Sequence, residues 1–102
     1  MDTDQIPQLG QIVKVLRGSD PGKYAVIIGL VDSRFVLIAD GDKRRFDSPK
    51  KKNRLHLQLQ SSISSEVAAS IRETGRVTNG KLRFAVAKFV DRLQAEANEK
   101  GE

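Results

Sequence analysis

Between residues 11 and 60 the apolar positions fall in short runs broken by turn residues, a strand pattern rather than a helical one. Gln11-Ile12-Val13-Lys14-Val15-Leu16-Arg17 is rich in β-branched residues and ends in Gly18-Ser19-Asp20-Pro21-Gly22, a dense turn signal. Lys23 through Val31 and Arg34 through Asp40 are two further apolar runs, and the polar break Asp32-Ser33 between them suits a hairpin. Asp40-Gly41-Asp42 reads as a second hairpin turn, leading to a short strand around Arg44-Arg45-Phe46. Arg54 through Gln60 alternates, with Leu55, Leu57 and Leu59 on one face and His56, Gln58 and Gln60 on the other. Five short strands joined by tight turns predict a small β-barrel.

The phase of the strands poses a packing problem. Val13, Val15 and Val26 read as inward residues, which leaves Ile12, Leu16 and Ile27 facing outward. A small barrel has one interior, so these outward positions need a cover. The second half of the chain offers one. The hydroxyl-rich start Ser61-Ser62-Ile63-Ser64-Ser65-Glu66 supplies helix N-caps, and Ile63, Val67 and Ile71 recur at helical spacing. Gly75 is placed to end that helix. After Thr78-Asn79-Gly80, a longer stripe runs through Leu82, Val86, Phe89, Val90, Leu93 and Ala97. Two such stripes predict an α-helical hairpin that packs on the barrel or on a partner, and the outward strand residues favour its folding back onto the barrel, with Phe89 central. The expected division is residues 9–60 for the β domain and 61–102 for the helical extension.

Charge sharpens this picture. Of the formal net charge of +5, residues 11–60 hold an excess of six, eleven Lys and Arg against five Asp. Residues 61–102 are nearly balanced, and Asp2 and Asp4 make the start acidic. A cationic excess confined to one half points to a polyanionic partner, because neutralised phosphates release condensed counterions. With no cysteine, the chain has no disulfide framework, thiolate metal site or thiol nucleophile. The polar start Met1-Asp2-Thr3-Asp4-Gln5 lacks the basic and apolar regions of a signal peptide, and no apolar run reaches the ~20 residues of a membrane span. The expectation is a soluble, cytoplasmic protein with no membrane partner.

The stretch from Gly10 to Ile27 combines a glycine before the first strand, alternating valines, a glycine-bounded turn and a second apolar strand. It resembles the KOW motif. Pro49-Lys50-Lys51-Lys52-Asn53-Arg54-Leu55-His56-Leu57 is similar to the basic segment and following strand of bacterial KOW-domain RNA-binding proteins, a group related to an archaeal and eukaryotic large-subunit ribosomal protein family. The resemblance covers residues 9–60. It implies a mainly β fold, a small five-stranded SH3-like (KOW) barrel followed by a C-terminal α-helical hairpin. It also implies RNA binding, most directly to ribosomal RNA, with a ribosomal protein as a further neighbour. A transcription-associated KOW module that binds RNA polymerase or another protein is the alternative. The chain departs from a uniformly basic pattern at Asp20, Asp40 and Asp42.

The candidate RNA-binding residues are Arg17, Ser19, Gly22 and Lys23 in the first loop, Lys43, Arg44 and Arg45 in the 40–46 turn, and Lys50, Lys51, Lys52 and Arg54 in the basic segment. Backbone N–H groups, a hydroxyl and flanking cations suit phosphate oxygens. Gly22 is expected at positive φ, which glycine alone adopts freely. The Lys run is expected to be an exposed loop. As bare charge it is equally a solvated surface; its place between strands of a KOW-like unit favours RNA. Lys and Arg without adjacent aromatics point to phosphate contact rather than base reading. Tyr24 and Phe46 could stack on bases, but core or rim packing is the commoner fate of such residues. Phe84 and Phe89 read as helix-packing residues. The lone His56 has no partners for a metal site or a triad. Asp40 and Asp42 are explained by a hairpin turn. No phosphate-loop motif and no nucleophile beside a base occur, so neither catalysis, cofactor, metal nor small-molecule substrate is expected.

Overall fold

A computed structural model describes residues 6–100, with side chains described through Ala97. The acidic start Met1–Gln5 lies outside the described residues. Five strands, β1 (Gln11–Val15), β2 (Tyr24–Leu30), β3 (Phe35–Ala39), β4 (Lys50–Asn53) and β5 (Leu57–Ile63), form one antiparallel sheet in the order β4-β3-β2-β1-β5. A single 3-10 turn, Arg54–His56, joins β4 to β5, and two helices follow, α1 (Ser65–Thr74) and α2 (Asn79–Lys100).

The expected SH3-like barrel is not formed. The sheet is neither closed nor strongly curled, and β4 and β5 are its two edges. Closure needs a ladder between first and last strands. β4 pairs over four residues with β3, from Phe35↔Asn53 to Ile38↔Lys50, while β5 pairs with β1. The chain crosses from one edge to the other through the 3-10 turn: the Arg54 amide donates to the Arg34 carbonyl at 2.8 Å, and the Leu16 amide to the His56 carbonyl at 2.9 Å. Helices on one face of an open sheet make the architecture a two-layer α+β arrangement.

Register divides the apolar residues between the two faces. Ile12 lies opposite Val26, and Val26 opposite Ala39, so these three share a face. With Ile28 they meet Val67 of α1, Val77 of the connector, and Leu82, Ala85 and Phe89 of α2 in one buried cluster. Val13, Val15, Ala25, Ile27, Val36, Ile38 and Leu57 form a second cluster on the opposite face. Val26 therefore belongs with Ile12 rather than with Val13, and Ile27 with Val13. The helices do fold back on the sheet, with Phe89 buried and its ring edge-on to Tyr24 at 5.1 Å. Leu16, expected beneath them, is exposed.

The helix boundaries follow local chemistry. The Ser64 hydroxyl accepts from the Val67 amide at 3.2 Å, capping α1, and Gly75, at φ +77°, ends it by donating its amide N–H to the Ile71 carbonyl at 2.8 Å. The Thr78 hydroxyl accepts from the Lys81 amide at 3.2 Å at the start of α2. Ile63, expected in the first helical stripe, ends β5 instead, and Phe84 stays exposed on α2. The expected strand at 44–46 is a turn region, and the basic segment supplies β4. Leu55, expected on one strand face with Leu57 and Leu59, is exposed in the 3-10 turn, whose first amides are held by Asn53 and Arg34.

Candidate functional site

The loop from Leu16 to Lys23 is closed by three backbone hydrogen bonds: Val15 to Lys23 at 2.8 Å, Gly22 to Val15 at 2.7 Å, and Lys23 to Asp20 at 3.3 Å. Gly22 has the expected positive φ, +87°, and a Cβ there would meet nothing within 4 Å. Its requirement is dihedral alone. Gly18 is different. A Cβ on it would lie 2.5 Å from Lys52 Nζ. That ammonium donates to the Arg17 carbonyl at 2.6 Å, and Lys52 is buried. The lysine is thus a strut from the edge strand to the loop, not part of an exposed run.

The turn at 40–46 is built around Asp40. Its Oδ1 accepts from the amides of Asp42 at 2.8 Å and Arg44 at 2.9 Å, and the Arg44 carbonyl accepts from the amides of Asp40 and Gly41. Two residues of α2 hold this turn from below. Asn79 Oδ1 accepts from the Phe46 amide at 2.7 Å, and Arg83 Nη1 donates to the Gly41 carbonyl at 2.8 Å. Lys43 reaches across to Asp20 of the first loop at 3.6 Å. Both side chains are well exposed, so this pair adds little stability. It does connect the two loops.

Strand register sorts the lysines of β4. Lys50 lies opposite Ile38 and Lys52 opposite Val36, on the face of the second cluster; Lys51 lies opposite Leu37 on the other face. Lys51 Nζ sits 4.8 Å over the Phe35 ring, a cation–π contact. Nearby, Asp32 Oδ1 accepts from the amides of Arg34 at 2.8 Å and Phe35 at 2.9 Å. These two amides, with smaller help from Lys51 and Arg34, hold the Asp32 carboxyl below its ordinary value.

One cavity of about 140 Å³ gathers six of the eleven candidate residues: Ser19, Lys23, Lys43, Arg44, Lys50 and Lys52. Arg17 and Gly22 belong to the same loop, Arg17 by its carbonyl to Lys52 and Gly22 beside Lys23 in a neighbouring groove. Arg45, in the same 40–46 turn, is exposed and does not line the cavity. Lys51 and Arg54 are separate from this mouth, one on the far face of β4 and the other beyond its end. Sequence reasoning did not find Asp20, Asp40 and Asp42 as lining, nor the apolar wall of Val15, Ala25 and Ile38. Tyr24 and Phe46 pack against the first cluster, and Tyr24 also lines the cavity. Among the described residues, no group of three or more His, Cys, Asp or Glu could hold a metal ion. No described helix is long and apolar enough to cross a membrane.

No family model matches the chain. It is 48% identical over 71 residues to a protein of Bacillus subtilis (strain 168) named "Putative ribosome-binding protein YbzG", a match spanning 70% of this chain and 96% of the relative. At that identity and coverage, the chain belongs to the same bacterial protein family as YbzG.

Proposed function

We propose that this protein is a non-catalytic, ribosome-associated RNA-binding protein of the KOW-related bacterial group, working in the cytoplasm. RNA phosphates would meet it at the mouth formed by the first loop and the 40–46 turn. The observation that carries the reading is the convergence of Lys23, Lys43, Arg44 and Lys50, all exposed, with the Ser19 hydroxyl around one cavity. They come from two loops and a strand, so the fold concentrates groups that the sequence spreads from residue 19 to residue 50. Lys and Arg side chains in such a ring position a phosphate backbone without reading sequence. Arg17 and Arg45 extend the track on either side, and Gly22 shapes the loop. Lys52 contributes by holding the loop to the strand. Lys51 and Arg54 face elsewhere and stand outside the principal contact. The name of the YbzG relative supports the ribosome, with its ribosomal RNA, as the source of the phosphates.

The test is co-sedimentation with ribosomal subunits, using a variant with Lys23, Lys43, Arg44 and Lys50 all changed to Gln. Loss of co-sedimentation is expected. In a salt titration of RNA affinity, removing four phosphate contacts should lower the log–log slope by roughly 3. Unaltered sedimentation and slope in a folded variant would refute the assignment.

A further inference from the structure

The cavity at the basic mouth has a feature that phosphate binding does not use. Its inner wall is Val15, Ala25 and Ile38, members of the second apolar cluster, so the cavity is the open end of that cluster rather than a polar notch. Phosphate gains nothing from an apolar wall, and a water molecule needs two to four polar partners. A flat ring with apolar faces and a polar edge suits both wall and rim. The volume is about 140 Å³, and an apolar cavity of about 150 Å³ accommodates one benzene-sized ring. That admits a single six-membered base.

The rim adds a chemical preference. Three carboxylates line the cavity among the cations. Asp40 is committed to the turn amides and Asp20 reaches Lys43. Among the described residues Asp42 has no side-chain hydrogen bond or ion pair, so its carboxylate is an acceptor for an exocyclic amino group, and carboxylates take a hydrogen bond from the N4 amine of cytosine. Uracil offers a carbonyl oxygen at that position, which a carboxylate repels. Lys23 and Lys50, also on the lining, bring ammonium donors for the O2 oxygen and the adjoining phosphates.

We infer that the cavity between the first loop and the 40–46 turn takes one unpaired pyrimidine base of the bound RNA, with cytosine preferred over uracil. This rests on the RNA-binding reading and adds to it a pocket for a base turned out of its stack, in the manner of single-stranded RNA recognition.

The experiment is methyl-detected NMR on the intact protein, titrated with cytidine and uridine tetranucleotides and with inorganic polyphosphate. The methyl signals of Val15, Ala25 and Ile38 should shift with the cytidine tetramer and not with polyphosphate. The cytidine tetramer should bind about fivefold tighter than the uridine one, the worth of one added hydrogen bond, and Asp42→Ala should abolish that ratio. Tetramers that bind while the three methyl signals stay still, as polyphosphate does, would overturn the pocket and leave the phosphate reading standing. Equal affinity for the two tetramers would overturn the cytosine preference. Absence of binding by every probe, with no co-sedimentation with ribosomal subunits, would overturn both readings.

Discussion

Lys52 offers the sharpest test of how the site is built, because it separates support from contact within one lysine run. Changing Lys52 to Met keeps the stem against the second apolar cluster and removes only the ammonium. The Arg17 carbonyl then loses a donor at 2.6 Å. A hydrogen bond to a charged donor is worth about 1.5–3 kcal/mol net. Two terms reduce the loss: Arg17 is exposed, so water can reach its carbonyl, and the variant no longer pays to desolvate a charge. A cost of about 1–2 kcal/mol remains, which in a domain of this size lowers Tm by roughly 5–10 °C. Lys50→Met is the matched control. It sits two residues away on the same face but is exposed, and should stay within about 0.5 kcal/mol of the parent. Thermal and urea unfolding followed by circular dichroism measure both. If the two variants melt together, Lys52 is not a strut and the account of the loop fails.

Three further outcomes follow from the packing and the turns. Phe89→Ala should cost about 3–5 kcal/mol by urea unfolding, since it empties the contact between α2 and Tyr24 beneath it; a cost under about 1 kcal/mol would show the helix to be loosely held. Gly22→Ala should lose about 1–2 kcal/mol from the positive φ alone, with no contact at the Cβ to add, and urea unfolding at the parent's stability would contradict it. The Asp32 carboxyl is held low by the amides of Arg34 and Phe35, so its stabilising effect is complete above the ordinary carboxylate range and lost as pH falls through the lowered folded value. The Tm advantage of the parent over Asp32→Asn should therefore shrink on acidification, and an advantage that grows would contradict the sign.

How far the chain could be read in advance depended on what each signal measures. The first three strands were legible because β-branched runs and Gly, Pro and Asp turns act locally. β4 was not: Lys50-Lys51-Lys52-Asn53 has poor strand preference, and it succeeds as an edge, where lysines are tolerated and guard against further pairing. Alternation placed Leu55 on one face with Leu57, but a side-chain cap from Asn53 turns the chain just there. Which face Val26 occupies depends on the register Ile12↔Val26, and a shift of one residue between strands exchanges every face. Closure failed for a related reason, since a strand count cannot report whether the two edges meet. At the site, the cations were visible as composition. The apolar wall was hidden because Val15, Ala25 and Ile38 are ordinary core residues until the sheet leaves one end of their cluster open.

The hold of α2 on the 40–46 turn has a consequence for how this chain can vary. Asn79 and Arg83 grip the Phe46 amide and the Gly41 carbonyl, so the posture of Lys43 and Arg44 is inherited from the helix. The tips of those two cations can drift between lysine and arginine with the turn intact. A change at Asn79 or Arg83, which face no RNA in this scheme, would instead misdirect the whole turn. Shuffling the helical segment between proteins would therefore not be a neutral exchange of a tail. The sheet and the first turns of α2 form one unit of inheritance, and among the described residues the packing of α2 on the first cluster runs from Leu82 to Leu93.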